Sequence, residues 1–470
     1  MNGLETGKTV LIKKPYCQSG QNIYQQKVMT KPYIALDMFS GAGGLTEGFI
    51  RQGFEFAGHI EMNEDACKTL ETRLIYHELM RSGNKKIYGD YYRGIISRDE
   101  FIKCAKDCGA GEDLIINEAI SDETELEIKK KIKKYLRDNF NGKKTVDVII
   151  GGPPCQAYSM ARRGKENKAE KDDPRNFLYE HYISFLKKFK PDFFVFENVP
   201  GIRTAKNGTI LKDIFNKCDE AGYNIDADTL TASNFGVLQN RKRIIIIGWK
   251  KNCKTCFYPK FEEKKPTGHV WNILSNLPKL QADKSNKELR GTDEFQPYPE
   301  GVSLKYLKKN KLKGNFGGIR HHEARMHNDR DREIYREAIN QWNNGKVRLN
   351  YNNLPEKLKT HRFRSGFVDR FKVVDGRGYS HSVIAHIAKD GHYFIHPDIE
   401  QARSLTVREV ARLQSFPDDY YFEGNRGAKY TQIGNAVPPL MADGIAKEIK
   451  KMIDAERERN HPEERTKAEI

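Results

Sequence analysis

A cysteine that follows a stiff turn near the middle of this sequence is well placed to act as a nucleophile. Cys155 comes directly after the glycine and proline pairs of Gly151–Pro154. These follow Val146–Ile150, a β-branched run too short for a helix and typical of a buried parallel strand. Thiolates are strong nucleophiles, and open α/β sheets bind ligands at the carboxyl ends of their strands. On this stretch alone, an ordinary buried cysteine stays an alternative.

A carboxylate and two guanidinium groups could work with that thiol. Glu197 ends the next buried strand and precedes a Pro-Gly turn, where a carboxylate could also simply cap a helix. If it shares a sheet edge with Cys155, it becomes a candidate acid–base group. Arg241 and Arg243 stand at alternate positions before a strand, so their side chains are expected to point the same way.

Alternating apolar strands and amphipathic helices are predicted to position these groups in an α/β fold. A charged segment without periodicity, Arg162–Arg175, is predicted to be a mobile active-site loop. The tail after Asp454 is predicted to be frayed. The other predicted strands are Tyr33–Phe39, Phe54–Ile60, Asp192–Phe196, Asp228–Ala232 and Arg243–Gly248, and the predicted helices are Leu45–Gln52, Glu125–Phe140, Phe177–Phe189, Ser404–Phe416 and Leu440–Ile453.

A glycine turn after the first strand predicts a cofactor-binding edge. Ser40–Gly44 lies between that strand and a helix, where backbone N–H groups are free and close approach is possible. Glu61 ends the second strand, 20 residues beyond Gly41, and could accept hydrogen bonds from a ribose diol. Position 46 is Thr, so the spacing is not Gly-x-Gly-x-x-Gly, which weakens a dinucleotide interpretation. Simple turn chemistry stays an alternative.

Six stretches in order resemble the DNA (cytosine-5)-methyltransferase family. The resemblance extends from Asp37 to about Ile449 and departs from the family pattern in two places. Tyr158 stands where Phe is usual, and Tyr91–Thr145 is a long insertion. The implied fold is an S-adenosylmethionine-dependent, Rossmann-like methyltransferase sheet with a smaller target-recognition domain. The six stretches are Asp37–Gly44, Gly152–Ser159, Glu197–Val199, Gln239–Arg243, Arg408–Pro417 and Gln432–Pro439.

The resemblance implies a binding site for S-adenosyl-L-methionine. In it, Phe39 borders the adenine, the glycines pass the methionine part, Glu61 binds the ribose and Asp90 contacts the adenine amino group. The full set of implied cofactor residues is Phe39, Ser40, Gly41, Gly43, Gly44, Leu45, Glu61, Met62, Asp90, Pro153, Asn435 and Ala436.

The resemblance also implies roles in catalysis. Cys155 attacks carbon 6 of cytosine, and Glu197, held near neutral by its site, protonates ring nitrogen 3. Arg243, with Arg241 as a second candidate, orients Glu197 and hydrogen-bonds the cytosine oxygen. The target base must first leave the duplex stack, at a cost of roughly a few kcal/mol. The implied DNA contacts are Gln156, Ser159, Arg162, Asn198 and Gln239.

The charge distribution favours a nucleic-acid partner. The chain has 470 residues and a formal net charge of +17. Residues 250–402 hold 30 basic and 18 acidic residues, so +12 of that charge lies in about a third of the chain. Lys-rich composition from genome bias is an alternative cause. By family position this region is the target-recognition region, expected to supply phosphate contacts and sequence choice.

Composition also indicates the cellular compartment in which the protein is expected to act. No apolar run reaches membrane-spanning length, Met1–Pro32 shows no secretory signal, and eight cysteines are too sparse for a disulfide scaffold. We therefore expect a cytoplasmic protein. The family resemblance implies a bacterial enzyme that acts as a monomer on duplex DNA. A cognate restriction endonuclease, in a restriction–modification system, is the expected partner. The predicted domains are 1–30 as a flexible arm, 31–249 as the catalytic and cofactor-binding domain, 250–424 as the target-recognition domain, and 425–470 as a segment returning to the catalytic domain.

Three other functions stay open. An RNA-directed relative is the first, although a large target-recognition region argues against it. A catalytically silent DNA-binding relative is opposed by the intact Cys155, Glu197 and Arg243 set, and a nicotinamide-dependent oxidoreductase leaves Pro153–Cys155 unexplained. No metal site is expected, because the histidines of Arg320–His327 and the lone Cys253–Cys256 pair match no complete ligand spacing.

Overall fold

The computed structural model describes residues 31–154, 177–253, 256–282, 287–359 and 368–460. These residues form two compact units. One unit contains residue 31 and residues 74–112, and the other contains residues 32–73 together with the described residues from 113 onward. The second unit holds the sheet and most of the residues discussed below.

A seven-stranded sheet organises the larger unit. Its order is β3-β2-β1-β4-β5-β8-β6, and every neighbouring pair is parallel except the two that involve β8. The strands are β1 Tyr33–Met38, β2 Phe54–Glu61, β3 Ile115–Asn117, β4 Val148–Gly151, β5 Phe193–Asn198, β6 Tyr223–Thr231 and β8 Lys242–Lys250. Because β1, β4 and β5 are parallel neighbours, the turns that follow them open at one edge, as the sequence predicts. The fold class predicted from the sequence is confirmed.

Short two-stranded pairs lie outside this sheet. Gln239–Asn240, which form β7, pair in parallel with β13, Ser380–His381. The others are β9 Gly291–Thr292 with β12 His322–Glu323, and β10 Gln296–Pro297 with β11 Gly318–Ile319.

Helices cover both faces of the sheet. The helices are α1 Gly44–Arg51, α2 Glu64–Arg81, α3 Lys85–Arg93, α4 Arg98–Asp107, α5 Glu125–Asn139, α6 Leu178–Phe189, α7 Thr209–Glu220, α8 Trp271–Leu274, α9 Lys305–Lys309, α10 Asp329–Gly345, α11 Val407–Leu413, α12 Arg426–Asn435 and α13 Pro439–Asn460. One face packs against α5, α6 and α7, and the other against α1 and α13. Side chains of neighbouring strand positions alternate between the two cores, so Leu36 joins one and Ala35 the other.

Helix α13 differs from its prediction. The mixed-charge tail was expected to fray after Asp454, but the helix continues to Asn460. Arg457 explains part of the difference, because its guanidinium donates to the Pro32 carbonyl at 2.8 Å and to Asp147 Oδ1 at 3.1 Å. The frayed-tail prediction is therefore wrong as far as residue 460.

The region from 250 to 402 consists mainly of short elements, as predicted, but it also contains α10. The Asn328 side chain caps this 17-residue helix by accepting from Asp331 N, and Ile334, Tyr335, Ala338 and Ile339 are buried on one face. That face packs in a small core with Phe371 and Ile395. The predicted domain boundaries stay a prediction. Within the described residues, no helix combines the length and apolar character needed to span a bilayer.

Candidate active site

The turn between β1 and α1 adopts a conformation that few side chains tolerate. Phe39, Gly41 and Gly43 have φ of 58°, 54° and 80°, so all three lie in the left-handed region. Gly43 N–H donates to the Ser40 carbonyl, and Ser40 N–H donates to the Ile60 carbonyl, each at 3.0 Å. A non-glycine residue held at positive φ costs about 1–3 kcal/mol, and such strain clusters at ligand sites. The turn is therefore built for close approach of a ligand.

Glu61 faces this turn from the end of β2. Its Oε2 accepts from Gly41 N–H at 2.9 Å, and its Oε1 accepts from Asn63 N–H at 2.8 Å. Burial raises the pKa of Glu61, while the hydrogen bonds from Asn63 and Gly41 oppose that shift. The two carboxylate oxygens offer about four acceptor positions in all, and backbone N–H groups of Gly41, Asn63 and Met62 bond to them, so capacity remains for a further donor. A hydroxyl group is a matching donor.

A second turn, between α12 and α13, touches the glycine turn. A Cβ added to Gly44 would stand 2.3 Å from the Val437 carbonyl oxygen and 3.0 Å from Ala436 Cβ, so only glycine fits at position 44. Asn435 is the last residue of α12 and lies next to this contact. The structure thus brings together two predicted cofactor segments that are almost 400 residues apart.

Tyr420 supports the glycine turn through a hydrogen bond, although no sequence pattern singled this residue out. Its buried hydroxyl donates to the Ala42 carbonyl, and the Arg73 guanidinium carbon lies 4.8 Å from its ring centroid. Arg73 is itself held by Glu47 of α1, at 2.8 Å. The available signal was that Tyr420 stands three positions after Pro417, the end of the Arg408–Pro417 stretch, which places a large side chain near the family motifs.

Glu197 lies at the carboxyl end of β5, beside the end of β4. Its Oε1 is 2.6 Å from Arg243 Nε on the antiparallel neighbour β8. A Cβ added at Gly152 would stand 2.6 Å from Glu197 Oε2, so glycine is needed for this approach. Burial lowers the pKa of Arg243, whereas its contact with Glu197 opposes the shift. The result is an oriented carboxylate beside the Gly-Gly-Pro-Pro turn.

Asn198 fixes the same turn. Its Nδ2 donates to the Pro153 carbonyl at 3.2 Å, and its Oδ1 accepts from Val199 N–H at 2.8 Å. Asn198 and Pro153 are both buried. The geometry therefore links the end of β5 to the turn after β4.

Arg241 and Gln239 are fully buried and contact protein groups. The Arg241 guanidinium donates to the Val383, Gly434 and Asn435 carbonyls. Burial, with the neighbouring Arg243 charge, holds the pKa of Arg241 well below its usual value. Arg241 was considered as a second group to orient Glu197, but Arg243 makes that contact and Arg241 binds backbone carbonyls instead.

These contacts fit the comparison with known proteins. The model of the C-5 cytosine-specific DNA methylase family matches residues 33–90 and 116–451. The chain belongs to this family. This DNA methylase is 40% identical over 457 residues to the Type II methyltransferase M.Bpa9945I of Bacillus paralicheniformis, a match that covers 90% of this chain and 99% of that protein. It is 31% identical over 425 residues to the Type II methyltransferase M1.HphI of Haemophilus parahaemolyticus, covering 90% and 88% of the two chains.

A solved structure supports the methylase fold. A prophage-encoded E. coli protein described as a DNA modification methyltransferase matches with a TM-score of 0.58 and 23% identity, over 90% of this chain and 99% of that chain. The sequence predictions of family, of the methyltransferase sheet and of a DNA (cytosine-5)-methyltransferase activity are confirmed.

The other predicted site residues of this methylase lie beside the glycine turn and Glu61, in the smaller unit, or outside the described residues. Leu45 is buried in the first turn of α1, and the Met62 side chain next to Glu61 is 70% exposed. Asp90 lies on α3 in the smaller unit, where it is buried and accepts from Lys86 Nζ at 2.5 Å. Cys155, Gln156, Ser159, Arg162 and the predicted mobile loop fall outside the described residues.

The histidines considered as metal ligands have structural partners in the methylase. His321 Nδ1 lies 3.0 Å from Asp293 Oδ1, and its Nε2 accepts from Phe422 N–H. His322 Nδ1 and Nε2 contact Thr406 Oγ1 and the Pro278 carbonyl. Burial lowers the pKa of His322 to about 4.

The other rejected metal candidate is a cysteine pair. Cys253 and Cys256 form a disulfide, with Glu456 Oε2 at 3.1 Å from Cys253 Sγ. The two cysteines that match no complete set of metal ligands in the sequence are thus bonded to each other in the structure.

Proposed function

We propose that this methyltransferase binds S-adenosylmethionine along the edge formed by the glycine turn, Glu61 and the Asn435–Ala436 turn. Support comes from the remaining acceptor capacity of Glu61 next to Gly41 N–H, which suits a hydroxyl group of a ribose diol. A Cβ at Gly41 would meet no atom of the described residues within 4 Å, so the turn leaves room for a ligand. When bound, the cofactor supplies the methyl group, and the roles of the residues here are to bind it and orient it.

Cys155 is the proposed nucleophile, and Glu197 the proposed acid. The Cys155 thiolate forms a bond to carbon 6 of a flipped cytosine while ring nitrogen 3 takes a proton from Glu197, so the ring becomes an enamine. Carbon 5 then accepts the methyl group, and S-adenosylhomocysteine is the other product. Loss of the carbon 5 proton to a base, return of the nitrogen 3 proton to Glu197 and release of the Cys155 thiolate restore the aromatic ring. Arg243 holds Glu197 and offers a hydrogen bond to the cytosine oxygen.

One structural observation is the main support for this mechanism. The Glu197 carboxylate is held by Arg243 at 2.6 Å and stands against Gly152, three positions before Cys155 in the chain. A carboxylate oriented by a buried guanidinium beside that turn is arranged for proton transfer to a base attacked from the same turn.

Duplex DNA is the proposed substrate, and region 250–424 the proposed target-recognition domain. The basic excess of residues 250–402 suits phosphate contacts, and Gln156, Ser159 and Arg162 are the proposed contacts to the flipped nucleotide. The sequence also predicts DNA contacts for Asn198 and Gln239, but their buried amides have protein partners, so we assign both residues a positioning role. The proposal includes a cognate restriction endonuclease, which suits the Type II names of the relatives. It also includes the cytoplasmic setting expected from the composition and the action as a monomer implied by the family resemblance.

Methylation mapping tests this proposal. The chain and its Cys155→Ser variant are expressed in a host that lacks cytosine-5 methylation, and 5-methylcytosine is mapped in both DNA and RNA. We expect methylation at one short DNA sequence with the wild-type chain and none with the variant. Methylation confined to RNA, or unmodified nucleic acid in the presence of folded wild-type protein, would contradict the proposal.

A further inference from the structure

The backbone of Val383 is held at both its N–H and its carbonyl by side chains of the Gln239–Arg243 stretch. Its N–H donates to Gln239 Oε1 at 2.8 Å, and its carbonyl accepts from the Arg241 guanidinium. The pairing of β13 with β7 brings the two segments together, and Ser382 Oγ adds a bond to the Asn240 carbonyl at 3.1 Å. Val383 belongs to the region assigned to target recognition, so these contacts join that region to the segment that carries Arg243.

The Arg241 and Gln239 side chains also connect to the turn assigned to cofactor binding, Arg241 directly and Gln239 through Gln414. Arg241 Nη2 donates to the Gly434 carbonyl at 3.0 Å and to the Asn435 carbonyl at 3.4 Å. Gln239 Nε2 donates to Gln414 Oε1 at 3.0 Å, and Gln414 Nε2 donates to the Ile433 carbonyl at 2.7 Å. Two polar paths therefore run from the backbone of one residue, Val383, to one turn.

Burying the polar side chains of these two paths costs free energy, which argues that their contacts are not incidental. Gln239, Arg241 and Gln414 each have 0% exposure. The hydrogen bonds of Arg241 go to carbonyl groups, and its Nε has no hydrogen-bond partner among the described residues. A buried cation of this kind loses hydration that neutral carbonyls replace only in part. The turn it holds packs directly on the glycine turn, through Gly44 and Val437.

We propose that Gln239, Arg241 and Gln414 are positioning residues that connect the recognition segment Ser380–Ile384 with the Ile433–Ala436 turn. The proposal rests on the proposed function, because it takes the first segment to respond to DNA and the second to the cofactor. A shift of either segment must alter the shared hydrogen bonds. Binding of one ligand therefore favours the arrangement that binds the other, and the effect is reciprocal.

The test compares two buried glutamines. Gln414→Met breaks one of the two paths, the one that runs from Gln239 to the Ile433 carbonyl, while keeping the length of the side chain. Gln432→Met is the matched control, because Gln432 is a buried amide on α12 that donates to the Glu423 carbonyl at 3.0 Å and accepts from Thr69 Oγ1 at 2.7 Å, outside the two paths. Thermal melting of both full-length variants checks that each one folds. Gln239→Met tests the same path if Gln414→Met does not fold.

The dissociation constant of a duplex carrying the mapped site is measured with and without saturating S-adenosylhomocysteine, the unreactive product. For the wild type and Gln432→Met we expect the product to tighten DNA binding by about 5-fold or more, the usual lower range of coupling between sites. For Gln414→Met, which leaves the Arg241 path in place, we expect a ratio clearly smaller than that of the wild type.

Several results would overturn the proposal. An unchanged ratio in both Gln414→Met and Gln239→Met would do so, and so would an equal loss in Gln432→Met, since general loosening would then explain it. A wild-type ratio of one would also overturn it, while methylation by that same protein would leave the proposed function standing. Failure of the wild type to bind the product would instead contradict the proposed cofactor site and remove the basis of this inference.

Discussion

Arg243 Nε lies 2.6 Å from Glu197 Oε1, across the antiparallel pair formed by β8 and β5. The two residues are 46 positions apart in the chain, and the strand register decides that they meet. This ion pair is 11–12% exposed, so it is partly shielded from water and from salt. It fixes the carboxylate in one orientation beside the turn that leads to Cys155.

Replacing the carboxylate should remove turnover without removing the fold. Glu197→Gln keeps an oxygen that accepts from Arg243 but is a poor proton donor, so we expect the turnover number to fall by about 10²- to 10⁴-fold, the usual contribution of a positioned acid. The dissociation constant for S-adenosylhomocysteine should stay unchanged, because the groups proposed to bind it, Glu61 and the glycine turn, are left intact. Single-turnover methylation of the mapped duplex measures the effect, and a variant with wild-type turnover would exclude Glu197 as the acid.

The cofactor site should depend on the charge of Glu61. Glu61→Gln loses a charge-assisted hydrogen bond worth about 1.5–3 kcal/mol, so the cofactor dissociation constant should rise roughly 10- to 150-fold. The exposed Glu64, which pairs with Lys68 at 2.6 Å, offers Glu64→Gln as a control with unchanged affinity. Calorimetric titration gives the cofactor dissociation constants of the wild type and of both variants. Equal affinities in all three proteins would show that Glu61 does not bind the ribose.

Tyr420 should tune cofactor affinity through the glycine turn. Tyr420→Phe removes the hydrogen bond to the Ala42 carbonyl, and a neutral hydrogen bond contributes about 0.5–1.5 kcal/mol, so we expect affinity to weaken by about 2- to 10-fold. Tyr430→Phe is a matched control, because the equally buried Tyr430 hydroxyl donates to the Leu405 carbonyl at 2.6 Å. Both variants should melt at similarly reduced temperatures. A loss of affinity of the same size in Tyr430→Phe would contradict a specific role for Tyr420.

His322 should make the fold sensitive to acid. Burial lowers the pKa of His322 from 6.5 to about 4, with Glu409 opposing the shift, so between these pH values the unfolded chain holds more protons than the folded one. Its contribution to stability is complete above pH 6.5 and is lost as the pH falls through this window, by up to about 1.4 kcal/mol per pH unit. Denaturant unfolding at several pH values should therefore show a shallower acid dependence in His322→Gln than in the wild type. Identical slopes in the two proteins would refute this account.

The sequence predicted the elements that carry local signals. The apolar run around Ile149 is β-branched, and both this run and the one around Ile34 lead into a glycine turn, so their strands and the shared sheet edge could be placed. Helix α10 was missed although Asn328, three residues before Asp331, is a typical start signal and the buried positions that follow have helical spacing. The surrounding short segments hid that pattern.

Long-range contacts could not be predicted in the same way. The alternation rule placed Arg241 and Arg243 on one side of an extended segment, but it could not say that only Arg243 would meet Glu197. Gln239 was expected to contact DNA because its motif suggested it, whereas the pairing of β7 with β13 buries its side chain. Such contacts depend on which distant segment packs nearby, and a single sequence does not contain that information.

The central claim is that a cysteine adds to the target base, and 5-fluorocytosine tests it most directly. Fluorine at carbon 5 cannot leave as a proton does, so the final step is blocked after methyl transfer. Duplex DNA with 5-fluorocytosine at the mapped position should form a denaturant-stable adduct with the wild-type chain, only when S-adenosylmethionine is present, and the trapped peptide should contain Cys155. The adduct should be absent in Cys155→Ser and slow to form in Glu197→Gln. Active enzyme that yields no adduct at that position, or an adduct at another residue, would contradict the mechanism.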